Sequence, residues 1–264
     1  MRKLIVCDID NTLLPAGGRI SDVTAEALAS LDEDTGFTIA TGRSFHVVRK
    51  FVNDLHLTLP VITSNGAQLY DYANEVSLYE TLIPPRTIQA LLKKLIADGF
   101  DFVAYSDKGI YFRPQSEHLA FFQNYNASVA PELRAPMLSL DETSLSNVSK
   151  KITKVLVYFP TESLISDLNT WKDLEITASM HHVIDIMARN STKGNAVVAL
   201  ARHLEIPLSS VYCFGDGEND VSMFTCGAVG VAMGNASDSV KKKAQVVTLP
   251  CLEDGVAYAI RNLL

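Results

Sequence analysis

The sequence contains little cysteine, and its cysteines are not arranged as metal ligands. The four residues, Cys7, Cys213, Cys226 and Cys251, show no CxxC spacing. This arrangement argues against a zinc site or a disulfide framework, so we expect free thiols in a reducing compartment. The adjacent residues His181 and His182 also lack the spacing of helical metal ligands, and no metal is predicted there.

A long apolar run is missing as well. No stretch approaches the roughly 20 apolar residues of a membrane-spanning helix. Met1 leads directly into a strand-like segment, with no cleavable signal pattern before it. These two absences predict a cytoplasmic protein with no membrane partner.

Positive charge is scarce relative to negative charge. The 23 lysines and arginines are outnumbered by 30 aspartates and glutamates, which gives a formal net charge of −7 and a pI near 5.4. A nucleic-acid binder would normally present a basic stripe, so no nucleic-acid partner is expected. Apolar residues, by contrast, make up 47% of the 264 residues, enough for a sizeable core in one large domain or two smaller ones.

Both ends of the chain alternate strand-like and helix-like segments. In the first part, we predict strands at residues 3–8, 37–40, 61–63, 68–72 and 77–82, with helices at 21–31 and 44–55. In the last part, we predict strands at 211–214, 228–233 and 244–248, with helices at 193–204 and from about 253. Alternation of this kind is typical of a doubly wound parallel sheet with helices on both faces.

The adjacent prolines Pro84 and Pro85 mark a change of pattern. Beyond them we predict a helix at 86–97, a hairpin at 102–113, a polar stretch up to 149, strands at 155–159, 174–178 and 183–187, and a helix at 162–171. These elements indicate a small α/β lobe with an open sheet, inserted into the first domain. The predicted division is therefore 1–83 and 189–264 for one core, and 84–188 for the lobe.

Two carboxylates, Asp8 and Asp10, follow the apolar segment at residues 4–7. A short apolar strand of a parallel sheet delivers the residues at its carboxyl end to the edge where ligands bind. Side chains two residues apart on a strand point to the same face, whereas a turn after Asp8 would aim them differently. The aspartates are therefore placed either to share a metal ion or to divide the work of nucleophile and acid.

Three further segments carry chemistry at the ends of predicted elements. Thr41 and Gly42 precede a helix N-terminus and offer a hydroxyl and backbone N–H groups to an anion. Lys193 begins a helix, where the macrodipole disfavours a cation unless an anion lies nearby. Residues 215–220 read GDGEND and place two glycines and three carboxylates after an apolar strand. Each segment is informative only in combination with the others.

Taken in this order, the segments resemble the four motifs of the haloacid dehalogenase superfamily of phosphatases: DIDNT at 8–12, Thr41 in ATGRS, Lys193, and GDGEND at 215–220. The resemblance covers essentially the whole chain and is closest to the Cof-type sugar phosphatases, in which an α/β cap lies between the second and third motifs. It also includes SNGA at 64–67. The implied fold is a Rossmann-like doubly wound core with an inserted α/β cap domain. One departure is Asn11, where these phosphatases usually carry glycine, and asparagine also tolerates turn dihedrals.

The resemblance implies a role for each motif residue. Asp8 would be the nucleophile that forms an aspartyl-phosphate, and Asp10 the general acid and base. Mg²⁺ would be held by Asp8, the Asp10 backbone carbonyl and Asp216, with Asp220 behind them. The implied phosphate-binding residues are Thr41, Gly42, Lys193 and Asn219, and the implied contacts to the organic part of the substrate are Arg43 and Asn65. The expected partner is a small phosphorylated metabolite, a sugar phosphate first, bound by a monomer or a homodimer.

Electrostatics gives a separate argument for a cation. If Asp8, Asp10, Asp216 and Asp220 converge, each close pair of carboxylates repels by about 4 kcal/mol at an effective dielectric constant of about 20. The ammonium of Lys193 and one divalent ion still leave one negative charge in excess, which favours protonation of one carboxyl, with Asp10 as the candidate. Mg²⁺ suits a site made of a few carboxylates, waters and a phosphate oxygen.

Two other functions stay open at this point. Phosphomannomutases use a similar core and cap, so a phosphomutase is the alternative enzyme. A phospho-accepting signalling module also gathers acidic residues, a threonine and a lysine around Mg²⁺. Receiver domains of that kind are much shorter, however, and have no inserted lobe.

Overall fold

The structure is a computed structural model that describes residues 1–15, 18–180 and 182–262, with the backbone alone at 179 and 180. His181, one of the two histidines predicted not to bind metal, lies outside these residues. The described strands are β1 Lys3–Cys7, β2 Thr35–Ile39, β3 Val61–Thr63, β4 Gln68–Asp71, β5 Val76–Glu80, β6 Phe102–Ser106, β7 Gly109–Phe112, β8 Met137–Ser139, β9 Ile152–Tyr158, β10 Leu174–Met180, β11 Val183–Ala188, β12 Val211–Gly215, β13 Val229–Ala232 and β14 Val246–Val247. The described helices are α1 Asp22–Ala29, α2 Phe45–Asp54, α3 Pro85–Ala97, α4 Leu119–Ser128, α5 Glu162–Leu168, α6 Lys193–His203, α7 Val221–Phe224, α8 Asp238–Lys241 and α9 Gly255–Asn262.

The chain divides into two compact units. Unit 1 comprises residues 1–42, 52–79 and 192–264, and unit 2 comprises residues 43–51 and 80–191. Within the described ranges, no helix is long and apolar enough to cross a membrane.

Unit 1 is built on a five-stranded sheet in the order β14-β13-β12-β1-β2, and every pairing in it is parallel. Buried residues of the central strands pack against α6, whose Val197, Leu200 and Ala201 form an apolar stripe at helical spacing. Because strands covered on both faces need apolar side chains throughout, the central strands read as continuous apolar runs in the sequence. The predicted doubly wound core is confirmed.

Strand β3 does not join the parallel sheet as an ordinary neighbour of β2. It pairs antiparallel with β4 in a separate three-stranded sheet, β3-β4-β5. A single parallel bridge, between Ala40 and Ile62, connects it to the end of β2. Strand-helix alternation alone would predict β3 as a further strand of the parallel sheet, but β3 instead forms a hairpin with β4.

Unit 2 contains a six-stranded sheet in the order β10-β11-β9-β6-β7-β8. Its described pairings are antiparallel except for the parallel pair β7 and β8. One face packs against α3, which begins at Pro85 and buries Ile88, Leu91, Leu92 and Leu95 at helical spacing. The sheet of this unit and the parallel sheet of unit 1 together give the α/β core-and-cap architecture expected from the sequence.

The segment described from the sequence only as a polar stretch up to residue 149 contains α4 and the short strand β8. Helix α4 buries only Phe122, so its sequence lacks the apolar stripe that would have indicated a helix. Strand β8 has three residues, too few to show alternation. Both elements were missed because neither has a periodic apolar pattern.

Candidate functional site

The site begins where the two central strands of unit 1 end. Strands β1 and β12 are parallel neighbours, with Cys7 opposite Phe214. The backbone N–H of Asp8 donates to the carbonyl of Phe214 at 3.0 Å, which carries the pairing one residue past β1. Asp216 follows β12 directly, so the two aspartates leave the sheet at the same edge, as the sequence predicted for carboxyl ends of parallel strands.

Lys193 joins two of the predicted carboxylates. Its Nζ donates to Asp8 Oδ1 at 2.7 Å and to Asp220 Oδ1 at 2.6 Å. The Lys193 and Asp220 side chains are fully buried, and that of Asp8 is 9% exposed. The lysine occupies the first position of α6, where the macrodipole disfavours it, and the two carboxylates supply the offsetting negative charge.

Asp220 is held by the turn that it closes. Its Oδ2 accepts hydrogen bonds from the backbone N–H groups of Asp216 and Gly217, both at 2.9 Å. A Cβ at Gly215 would clash with the Asp220 side chain, so this position needs glycine. Both Asp220 oxygens are thus engaged, one by the turn and one by Lys193, which leaves Asp8 and Asp216 as the more available carboxylates.

Asp8, Asp216 and Asp220 form a cluster that could hold a metal ion. One carboxylate oxygen from each lies within 4.8 Å of the others. The hydroxyl of Thr12 donates to Asp216 Oδ1 at 2.7 Å and fixes the orientation of that carboxylate. An all-oxygen donor set with negative charge is the chemistry that Mg²⁺ prefers, so the residues present fit this ion.

The pKa values of the residues in the cluster reflect its excess of negative charge. Burial raises the pKa of Asp8, the charge of Asp220 raises it further, and Lys193 only partly offsets the two. Burial also raises the pKa of Asp216, to about 6, against the hydrogen bond from Thr12. For Lys193, burial alone would lower the pKa, but Asp220 and Asp8 outweigh it and the net pKa is raised, so the ammonium stays charged. Three carboxylates against one ammonium leave an excess of two negative charges, which a divalent cation would balance.

Asp10 lies in the turn after Asp8 and is exposed, in contrast to Asp8. It forms an isolated parallel bridge with Leu14. The intervening residue Asn11 has a φ of +60°, and its N–H donates to the carbonyl of Leu14 at 2.8 Å. Asparagine thus adopts a left-handed conformation at this position, in agreement with its tolerance of turn dihedrals.

Thr41, Asn65 and Asn219 are brought together by hydrogen bonds. The N–H of Asn65 donates to the carbonyl of Thr41 at 3.0 Å, and Nδ2 of Asn219 donates to Asn65 Oδ1 at 3.1 Å. Gly42 follows Thr41 in unit 1. Arg43 belongs to unit 2, where its guanidinium lies 4.9 Å from the centre of the Phe51 ring.

The family follows from comparison with known proteins. A family model for haloacid dehalogenase-like hydrolases matches residues 5–260. The chain belongs to this family. This hydrolase is 28% identical to the pyridoxal phosphate phosphatase YbhA of Escherichia coli (strain K12), over 99% of this chain and 98% of the relative. It is also 28% identical to the 5-amino-6-(5-phospho-D-ribitylamino)uracil phosphatase YitU of Bacillus subtilis (strain 168), over 98% of this chain and 96% of the relative.

A solved structure gives the same result for the fold. The hydrolase superposes on a haloacid dehalogenase subclass IIB sugar phosphatase with a TM-score of 0.81 and 28% identity, over 98% of each chain. The resemblance stated from the motifs is confirmed, and so is the prediction of an enzyme: the chain is a hydrolase of a family whose curated relatives are phosphatases.

Thr12 is a site residue that the sequence reading missed. It lies in the DIDNT segment, where the resemblance gives it no role, yet its hydroxyl reaches Asp216, 204 residues later. The signal was its place two residues after Asp10, in the turn that faces the neighbouring strand end. Only the parallel pairing of β1 and β12 reveals that the two turns meet.

Proposed function

We propose that this hydrolase is a Mg²⁺-dependent phosphatase of small phosphate monoesters, sugar phosphates first. The observation that carries the proposal is the buried ion-paired group at the edge of the sheet, in which Lys193 bridges Asp8 and Asp220 beside Asp216. The curated relatives support phosphate ester hydrolysis. Two of them, each 28% identical to this chain, are named for different substrates. The sugar phosphatase fold neighbour supports sugar phosphates as the first class to test.

Asp8 is the proposed nucleophile. One of its carboxylate oxygens bonds to the phosphorus of the ester while the bond to the leaving oxygen breaks, which gives an aspartyl-phosphate and an alcohol. Asp10 donates its proton to the leaving alkoxide and then accepts one from the water that hydrolyses the intermediate. Its exposed position in the turn after Asp8 supports a role at a leaving group outside the buried carboxylate cluster.

The proposed ligands of Mg²⁺ are Asp8, Asp216 and the backbone carbonyl of Asp10, with Asp220 holding Lys193 in place. When bound, the ion supplies positive charge that lets Asp8 stay ionised and that stabilises the phosphoryl oxygens. Lys193, Thr41, Gly42 and Asn219 are the proposed donors to those oxygens. Arg43 is the proposed contact to the organic part of the substrate.

The proposal is tested by substituting the nucleophile. Asp8→Asn keeps the shape of the side chain and removes its attacking charge, so phosphate release from a panel of sugar phosphates should fall to background while the far-UV circular dichroism is unchanged. Asp22→Asn, at an exposed aspartate in the first turn of α1, is the matched control and should keep full activity. Turnover by Asp8→Asn at the rate of the unsubstituted protein would overturn the proposal.

Two further measurements sharpen the result. Rapid quenching during turnover should show a peptide containing Asp8 that carries one additional phosphoryl group. Conversion of a hexose 1-phosphate into the 6-phosphate without release of phosphate would instead indicate the phosphomutase alternative.

A further inference from the structure

Residues Ser64, Asn65 and Gly66 form a buried turn with an unusual backbone. Their φ angles are +52°, +55° and +90°, three consecutive left-handed values, two of them at residues with a Cβ. Ser64 and Asn65 are 1% and 2% exposed. Left-handed backbone at residues other than glycine costs energy and persists where the surrounding structure requires it.

The turn contacts three segments that carry proposed phosphate-binding residues. The Asn65 N–H donates to the carbonyl of Thr41 at 3.0 Å, and Asn65 Oδ1 accepts from Nδ2 of Asn219 at 3.1 Å. A Cβ built on Gly66 would clash with the carbonyl of Thr192 and would lie 2.7 Å from the backbone nitrogen of Lys193. One strained turn thus touches the loop after β2, the turn after β12 and the start of α6.

We propose that Asn65 is a positioning residue that acts through Asn219, and not the contact to the organic part of the substrate expected from the sequence. The inference rests on the proposed function, because it assigns Asn219 to the phosphoryl group. The amide nitrogen of Asn219 carries two hydrogens. Donation of one to Asn65 fixes the plane of the amide and therefore the direction of the second, which is the one left for a phosphoryl oxygen.

The backbone conformation explains why the side chain can be tested separately. Glycine adopts positive φ without steric cost, so Asn65→Gly removes the acceptor oxygen while the left-handed turn is retained. Asn190, which is exposed and has a φ of +67°, offers the matched control, because Asn190→Gly replaces the same residue type in the same conformation. Thermal melting of each variant checks that the fold is preserved.

The experiment is a double-mutant cycle with Asn65→Gly, Asn219→Ala and both together. It is read from kcat/KM for the best phosphate ester and from the Kd of inorganic phosphate in the presence of Mg²⁺, measured by calorimetry. If Asn65 acts through Asn219, we expect losses of about 10-fold for Asn65→Gly, about 30-fold for Asn219→Ala and no more than about 30-fold for the double variant. Asn190→Gly should change neither quantity.

Losses that multiply, to about 300-fold in the double variant, would overturn the inference, since they would show that Asn65 acts independently of Asn219. Failure of the unsubstituted protein to bind phosphate would overturn it as well. Non-additive phosphate binding in a protein that hydrolyses no ester would support the inference and count against the proposed function alone, because the calorimetric readout does not depend on turnover.

Discussion

Two buried lysines, one in each unit, form ion pairs with different numbers of carboxylates nearby. In unit 2, Nζ of Lys154 on β9 lies 2.7 Å from Asp185 Oδ2 on the neighbouring strand β11, and the two side chains are 3% and 0% exposed. In unit 1, Lys193 bridges Asp8 and Asp220, with an oxygen of Asp216 within 4.8 Å of theirs. The first group joins one ammonium to one carboxylate, whereas the second gathers three carboxylates around one ammonium.

The difference separates an ion pair of balanced charge from a group with an excess of negative charge, which is the group at the proposed active site. A buried pair between neighbouring strands costs desolvation energy on both sides, and its coulombic attraction offsets that cost without leaving a net charge. An excess of buried negative charge has no such compensation within the protein, so it lowers stability until a cation binds. We therefore expect substitutions at Lys154 and Asp185 to affect stability, and substitutions around Lys193 to affect activity.

The largest expected effect comes from replacing each lysine by methionine. Lys193→Met should lower kcat/KM at least about 1,000-fold, because it removes a buried positive charge that offsets Asp8 and, in the proposed mechanism, also the phosphoryl group. Lys154→Met should change kcat/KM by less than about tenfold once the folded fraction is taken into account. Steady-state phosphate release by both variants is the measurement, and similar losses in the two would break the distinction between the lysines.

A second effect should appear in the stability of unit 2. Lys154→Met leaves the Asp185 carboxylate buried without its ammonium, so the free energy of unfolding should fall by about 3–5 kcal/mol. The double variant Lys154→Met/Asp185→Leu removes both charges and should recover most of that loss. Urea unfolding of the three proteins is the measurement. If the double variant were as unstable as Lys154→Met, the pair would contribute to the stability of unit 2 by more than the neutralisation of one charge by the other.

The convergence of the site could be predicted from the sequence because it depends on strand order. Asp8 and Asp216 each follow an apolar strand, and the carboxyl ends of adjacent parallel strands share an edge. Lys193 carried a local signal of its own, a cation at a helix N-terminus. The core and its inserted α/β unit were predictable for a different reason. Strand-helix alternation is visible in the sequence itself, and so is its interruption after the two prolines.

The contacts between distant turns could not be predicted. Thr12 reaches Asp216 and Asn65 reaches Asn219 across 204 and 154 residues, and neither sequence segment indicates the direction of its side chains. The pairing of Lys154 with Asp185 could not be predicted. Asp185 lies within a predicted strand and Lys154 directly before another, and a single polar residue at such a position carries no information about its partner. Side-chain geometry of this kind depends on packing that only the folded chain defines.

A third prediction compares the two groups through their aspartates. The pKa of Asp8 is raised in the folded protein, so an ionised Asp8 carboxylate lowers the free energy of unfolding. Asp8→Asn removes this charge and should stabilise the Mg²⁺-free protein by about 1–2 kcal/mol. Lys193 keeps Asp220 as its partner in that variant. Asp185→Asn should act in the opposite direction, since it leaves the ammonium of Lys154 buried without its carboxylate.

Thermal unfolding in EDTA measures both signs. An excess of Mg²⁺ should raise the Tm of the unsubstituted protein more than that of Asp8→Asn, because the variant lacks one proposed ligand. A lower Tm for Asp8→Asn than for the unsubstituted protein in EDTA would contradict the excess of negative charge around Lys193.

A fourth effect, of the same order as that of Asp8→Asn, is a dependence of stability on pH that arises from Asp216. Its pKa rises from the ordinary value of 3.8 to about 6 on folding, so between these values the folded protein binds more protons than the unfolded chain. The contribution of Asp216 is therefore fully present below pH 4 and is lost as the pH rises through about 6, with a size of about 2 kcal/mol after allowance for partial exposure. Asp216→Asn removes this slope, so the difference in the free energy of unfolding between the two proteins in EDTA should change across that window and be constant above it. Saturating Mg²⁺ should flatten the pH profile of the free energy of unfolding of the unsubstituted protein, because a bound cation favours the ionised carboxylate. If neither Mg²⁺ nor Asp216→Asn changed this profile, the excess charge beside Lys193 would not be located at Asp216.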